Sequence, residues 1–129
     1  MKREANKKSG KRLNIKKTAF IIIAIFAIIV LFTAVDYFVH SLSSEYAVPS
    51  YYFRNKIIYG AVYGAIIYFF VRNQTPFKKA LFFSGIAVLL QIRYFIEGYP
   101  LDFVLEFLAI HYLILLPISW LAFRYIKGL

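Results

Sequence analysis

No cysteine occurs in this chain of 129 residues, which excludes disulfides, thiolate metal centres, S-acylation and a cysteine nucleophile. Acids are scarce too: six Asp and Glu stand against 16 Lys and Arg, for a net charge of +10. Only two histidines are present, His40 and His111, so imidazole chemistry is limited to one pair. No phosphate-cradling loop of the Walker type appears. Ser84 and Ser119 fall toward the opposite ends of their segments from the histidines, so no serine and histidine suggest a nucleophilic pair.

What the chain does have is apolar sequence, 61% hydrophobic and 20% aromatic. Four stretches, 18–39, 56–71, 79–96 and 103–123, are each about long enough to cross a ~30 Å hydrocarbon core as a helix. A separate soluble domain has no room beside them, since such domains rarely run below about 50 residues. The pattern predicts an all-α, four-helix transmembrane bundle over residues 18–129. A basic arm, residues 1–17, precedes it and is too polar to pack, so it is expected to be disordered.

Charge placement predicts the topology. All but three of the 16 basic residues, the exceptions being Arg54, Lys56 and Arg93, fall before the first stretch, between the second and third, or after the fourth. By the positive-inside rule both termini are cytoplasmic and the protein is a multi-pass protein of the cell membrane. The first stretch is read as a retained anchor: its apolar core is longer than a signal peptide's, and Thr33-Ala34-Val35 is a poor cleavage site. The arm is expected to meet anionic lipid headgroups. It lacks interleaved aromatic residues for base stacking, so nucleic acid is not an expected partner.

Within the stretches, small residues predict where helices meet. Gly60 and Gly64 form a G-x-x-x-G groove. Ala80, Ser84, Ala87 and Gln91 recur on one face of the third stretch at 100° per residue, and that face is predicted to point inward. The first stretch, rich in Ile and Phe on all sides, is expected at the periphery. Tyr46, Tyr51, Tyr52 and Phe53 are expected at headgroup level, and Lys56 is read as snorkelling outward where the chain re-enters the bilayer. Pro117 is expected to bend the fourth stretch or free the Leu113 carbonyl.

One constellation has the residue types of a site. Asp36, His40, Arg93, Glu97, Asp102, Glu106 and His111 lie at or near the acidic ends of the stretches and converge if the helices bundle. Asp36 and His40 are four apart and share a helix face, as a carboxylate orienting an imidazole or as two ligands to one metal. Asp102 and Glu106 repeat that spacing with two carboxylates, while Arg93 and Glu97 form an i, i+4 ion pair. His111 falls ~13 Å below Asp102, near mid-membrane, but roughly 140° around the helix from Glu106. A hydrogen bond to Tyr63, Gln91 or a backbone carbonyl would account for it. A bis-histidine haem between His40 and His111 is disfavoured by their different expected depths, and no cofactor is predicted.

Size and thin polar content favour a non-enzymatic membrane protein, either an accessory subunit of a larger membrane partner or a homo-oligomer. A second expectation is an oligomeric transporter or channel for a small cation or lipid-like solute, with Gln91, His111 and the outer carboxylates along its path. A third is a membrane-embedded, metal-dependent enzyme using Asp36 and His40 with Asp102 or Glu106 on an extracytoplasmic metal.

Overall fold

Every regular element is helical, in keeping with long apolar runs whose backbone groups must be satisfied within each segment. The computed structural model describes the backbone of residues 2–129 and the side chains of residues 14–129. Helix α1 spans Lys2–Ser41, a 3-10 turn covers Ser44–Tyr46, and α2 runs Tyr51–Val71. The helices α3, Pro76–Phe83, and α4, Ile86–Ile96, are two halves of one rod, followed by α5, Leu101–Tyr125. Three rods, Asn14–Ser41, Pro76–Ile96 and Leu101–Tyr125, are long and apolar enough to cross a membrane. The fourth, α2, is 21 residues long, about 31 Å at 1.5 Å per residue. Arg54, Asn55, Lys56 and its tyrosines make it the least apolar.

Most of the basic arm expected to be disordered, residues 1–13, lies outside the residues whose side chains are described, and its described end, 14–17, is helical and continuous with α1. Helix α2 begins five residues before the expected start. Pro49 and Ser50 supply the turn, with the Tyr52 amide donating to the Pro49 carbonyl at 3.0 Å. Tyr51, Tyr52 and Phe53 are therefore helical rather than part of the loop.

The third stretch is not one continuous helix. At Ser84 and Gly85 the ladder tightens to three-residue bonds, from the Gly85 amide to Phe82 O at 3.0 Å and from the Ala87 amide to Ser84 O at 3.0 Å. A Cβ on Gly85 would lie 2.8 Å from the Phe82 carbonyl oxygen, so this break needs glycine. The α4 to α5 turn uses Gly98 at φ 100, closed by bonds from the Gly98 amide to Phe95 O and from the Tyr99 amide to Tyr94 O. This is the Schellman arrangement that ends a helix on a left-handed residue. Through Pro117, α5 continues unbroken to Tyr125.

Packing runs around a ring. Helix α1 packs on α2 and α5, and the α3/α4 rod packs on α2 and α5, so α1 lies diagonally across from α3/α4. Short connections make successive rods antiparallel, the up-down-up-down order of a four-helix bundle. One end carries the N-terminal part of α1, the α2–α3 connection and the end of α5 and is basic; the other carries the α1–α2 and α4–α5 connections and most of the acids. On α2 the buried positions are Tyr52, Lys56, Gly60, Gly64 and Tyr68, every fourth residue. On α5 they are Val104, Phe107, His111, Leu115, Ser119 and Phe123.

The expectation that the first stretch stays at the periphery needs correcting. Helix α1 buries Ile21, Ile25, Ile28, Ile29, Phe32 and Asp36 along one stripe. Its Ile25 and Ile29 are what the α2 glycines receive, because a Cβ at Gly60 or Gly64 would come within 3.0 Å of Cγ2 of Ile29 or Ile25. Long branched residues, not small ones, face a small-residue groove, which is why α1 reads as lipid-facing from composition alone. The other inward residues of α3/α4 meet α5: Ser84 Oγ lies 3.5 Å from Ser119 Oγ, and Ala87 is fully buried.

Candidate functional site: a buried ionic cluster

Near the acidic end of the bundle each of the four rods turns a polar residue inward. The i, i+4 geometry of α1 stacks Asp36 and His40, that of α2 stacks Tyr52 and Lys56, α4 brings Gln91 and Tyr94, and α5 brings His111. At the centre the Lys56 ammonium pairs with Asp36 Oδ2, both side chains being fully buried. Lys56 Nζ also lies 3.0 Å from His111 Nε2 and donates to Tyr52 Oη at 3.3 Å. An ammonium has three N–H groups and no acceptor, so these three partners use it completely when His111 Nε2 carries no proton.

His111 is held on both ring nitrogens. Its Nε2 lies 2.9 Å from Asp36 Oδ1 as well as 3.0 Å from Lys56, and its Nδ1 faces the Gln91 amide at 2.7 Å. Two neutral tautomers fit. With the proton on Nδ1, Nε2 accepts from Lys56 and the Gln91 amide presents its oxygen. With the proton on Nε2, Asp36 Oδ1 is the acceptor and the Gln91 NH2 donates to Nδ1. The first turns the Gln91 amide over and gives Oε1 a partner but sets Asp36 Oδ1 against the Nε2 lone pair, whereas the second gives Asp36 Oδ1 a donor and leaves one Lys56 N–H over. Either way Lys56 and Asp36 cancel and the cluster is neutral overall, the condition for burial in a low-dielectric interior.

His40 closes the cluster on the acidic side. Its Nε2 lies 3.2 Å from Asp36 Oδ2, its Nδ1 lies 2.6 Å from the Tyr46 carbonyl oxygen, and its ring stacks on Phe107 at 4.2 Å with 5° between planes. The Tyr46 hydroxyl donates to Glu106 Oε1 at 2.8 Å, and that carboxylate pushes the Tyr46 pKa up from its ordinary value. Since this pair is solvent-exposed, Tyr46→Phe is expected to change the thermal midpoint by no more than about a degree or two. A larger drop would make the Tyr46 turn part of the bundle's core.

Of the seven residues expected to form one site, the structure brings three together: Asp36, His40 and His111. Arg93 and Glu97 pair with each other at 3.1 Å on a half-exposed face, where the Arg93 guanidinium stacks 3.5 Å over Tyr59. Asp102 is exposed in the first turn of α5, and Glu106 turns away to Tyr46. The different depths expected for His40 and His111 do not keep them apart, since Asp36 lies between them and contacts both.

Two readings of the α2 region need correction. Lys56 does not snorkel outward but is 0% exposed at the cluster's centre, and Tyr52, expected at headgroup level, is 2% exposed beneath it. A signal for both was available in the sequence: the Gly60 and Gly64 stripe, extended by the same four-residue step, runs back through Lys56 to Tyr52. Any helix that packs on the glycines carries both inward.

Ligand atoms of Asp36, His40 and His111 lie within 4.8 Å of one another, close enough to hold a metal ion together. The donor set fits a divalent cation only in part, because Lys56 binds the same Asp36 oxygen. A metal there would add two charges beside an ammonium in a dry interior. An ion could enter only if Lys56 left or gave up its proton. Compared with known protein families, characterised proteins and solved structures, the chain matches none.

Proposed function

We propose that this chain is a multi-pass protein of the cell membrane with four spans and both termini cytoplasmic. In this reading it works without catalysing a reaction, as an accessory subunit of a larger membrane partner or as a homo-oligomer. One observation carries the non-catalytic part: the reactive side chains of the interior are committed to one another. Asp36, Lys56, Gln91 and His111 are 0–2% exposed, and each faces a partner from another helix. A cluster contributed by all four rods and neutral as a whole acts as a fastener that sets their register. The topology is supported by the basic residues gathered at one end of the bundle and by the length of α2. The basic arm supplies contact with anionic headgroups.

Topology is directly testable because the native chain has no cysteine. A single cysteine placed by Ser43→Cys is expected to react with a membrane-impermeant maleimide on intact cells, and one placed by Gln74→Cys only after permeabilisation. Equal labelling of both in intact cells, or the reverse order, overturns the orientation.

A second reading is favoured by a chain of closely spaced polar groups. From Gln91 through His111, Asp36 and His40 to the Tyr46 carbonyl, successive polar atoms lie 2.6–3.2 Å apart, ending at a half-exposed turn. A histidine with a partner for each tautomer is the element that moves a proton along such a chain, and ionisable residues at this depth mark ion pathways in other membrane proteins. Under that reading the protein is a transporter or channel for a small cation, and His111→Ala abolishes flux into liposomes while yield and oligomeric mass are unchanged. Under the fastener reading the wild-type protein carries no flux above background and His111→Ala lowers yield and thermal midpoint.

A further inference from the structure

The opposite, basic end of the bundle contains a cavity of about 600 Å³ between residues 14–21 of α1, the end of α2, the start of α3 and the chain after α5. Three cations line it, Lys17 from α1, Arg72 from the end of α2 and Lys79 from α3, and among the described residues no acidic side chain does. Lys79 and Tyr68 both donate to the Leu129 backbone oxygen, which fixes them at the cavity floor and leaves Lys79 with further N–H groups. Lys17 and Arg72 are exposed at the rim and form no ion pair among the described residues. Lys79 is already engaged by the Leu129 oxygen, which leaves Lys17 and Arg72 as the cations lining the cavity without an acceptor among the described residues, and like charges facing one cavity repel unless an anion lies between them.

We propose that this cavity binds a phosphate group, carried by an anionic phospholipid or present as free phosphate. Arg72 supplies the planar fork that bonds two phosphate oxygens at once, and Lys17 and Lys79 supply point charges from either side. The size and the wall chemistry fit a headgroup whose acyl chains continue along Ile21 and Phe69, the apolar part of the lining. Basic pockets between membrane helices recognise anionic headgroups in this way. The inference does not depend on whether the buried cluster fastens or conducts; only the assignment to the cytoplasmic leaflet rests on the topology proposed above.

The test is native mass spectrometry of the full chain released from mixed micelles of phosphatidylglycerol and phosphatidylcholine, with and without millimolar inorganic phosphate. Three forms are compared: wild type, the double variant Lys17→Gln with Arg72→Gln, and a control, Lys78→Gln with Lys127→Gln. The control removes the same charge from the same end but outside the cavity. Wild type and control are expected to retain one phosphatidylglycerol or one phosphate in preference to phosphatidylcholine. The Lys17 and Arg72 double variant is expected to lose that retention by on the order of tenfold or more, with unchanged helical content. Displacement of the lipid by inorganic phosphate identifies a free-phosphate site, and resistance to displacement identifies a lipid site. Equal loss in the control, or no preference for either phosphate species in the wild type, overturns the proposal. Cysteine labelling reports orientation separately, so a wrong leaflet and an empty cavity give different results.

Discussion

Lys56→Met is expected to cost about 3–5 kcal/mol of bundle stability, the loss that follows when one partner of a buried ion pair is removed. Methionine fills nearly the same volume, so the effect is not a cavity. What remains is Asp36 at 0% exposure beside His111 and His40, with no cation to balance it. The carboxyl must then take up a proton or draw water into the interior. Tyr52 loses the ammonium that sits 4.3 Å over its ring, and His111 loses a donor at Nε2. A thermal unfolding curve in mild detergent reads the change directly. A midpoint within a degree or two of wild type would mean that Lys56 reaches solvent and that Asp36 is already neutral.

Gly64→Leu is the second large effect, and it acts through packing alone. A Cβ at Gly64 would stand 3.0 Å from Ile25, 3.2 Å from Ile86 and 3.2 Å from Phe83, so three helices close on this position at once. Adding even one methyl group forces each neighbour to shift by tenths of an ångström, and a leucine has nowhere to go. Overpacking of this kind typically costs about 1–3 kcal/mol or more. At Gly60 the constraint is one-sided, since a Cβ there meets Ile29 alone. Gly60→Ala is therefore expected to be milder than Gly64→Ala, and the paired comparison of thermal midpoints checks this. The opposite order would mean that α1, rather than α3 and α4, sets the spacing at this level.

Helical class and the approximate extent of the rods follow from apolar runs long enough to be read without ambiguity. The packing stripe Gly60, Gly64, Ser84, Ala87 and Gln91 follows from small residues at helical spacing. The break in the third rod did not, because Ser84 and Gly85 count as packing residues by type, and only the approach of Phe82 O shows why the helix must tighten there. Helix order was illegible as well: ring adjacency depends on which stripes face one another, and α1 has an Ile-rich surface on every side. That hid the role of Ile25 and Ile29 as the residues that fill the α2 groove.

Lys56 illustrates the same limit from the other side. A lysine a few residues inside a helix end snorkels by default, and its own type carries no sign of burial. The sign lies in register, one four-residue step before Gly60, and in the need of a buried Asp36 for a cation. Arg93, by contrast, has an acid one turn away on its own helix, and that local pair satisfied it at the surface.

A double-mutant cycle shows whether Asp36 and Lys56 act as one unit that fastens the helices. Unfolding free energies of wild type, Asp36→Asn, Lys56→Met and the double variant are measured in the same detergent. The fastener predicts that each single variant is strongly destabilised and that the double variant is more stable than Lys56→Met alone, with a coupling of about 2 kcal/mol or more. Costs that simply add, with the double variant the least stable of the four, would contradict it.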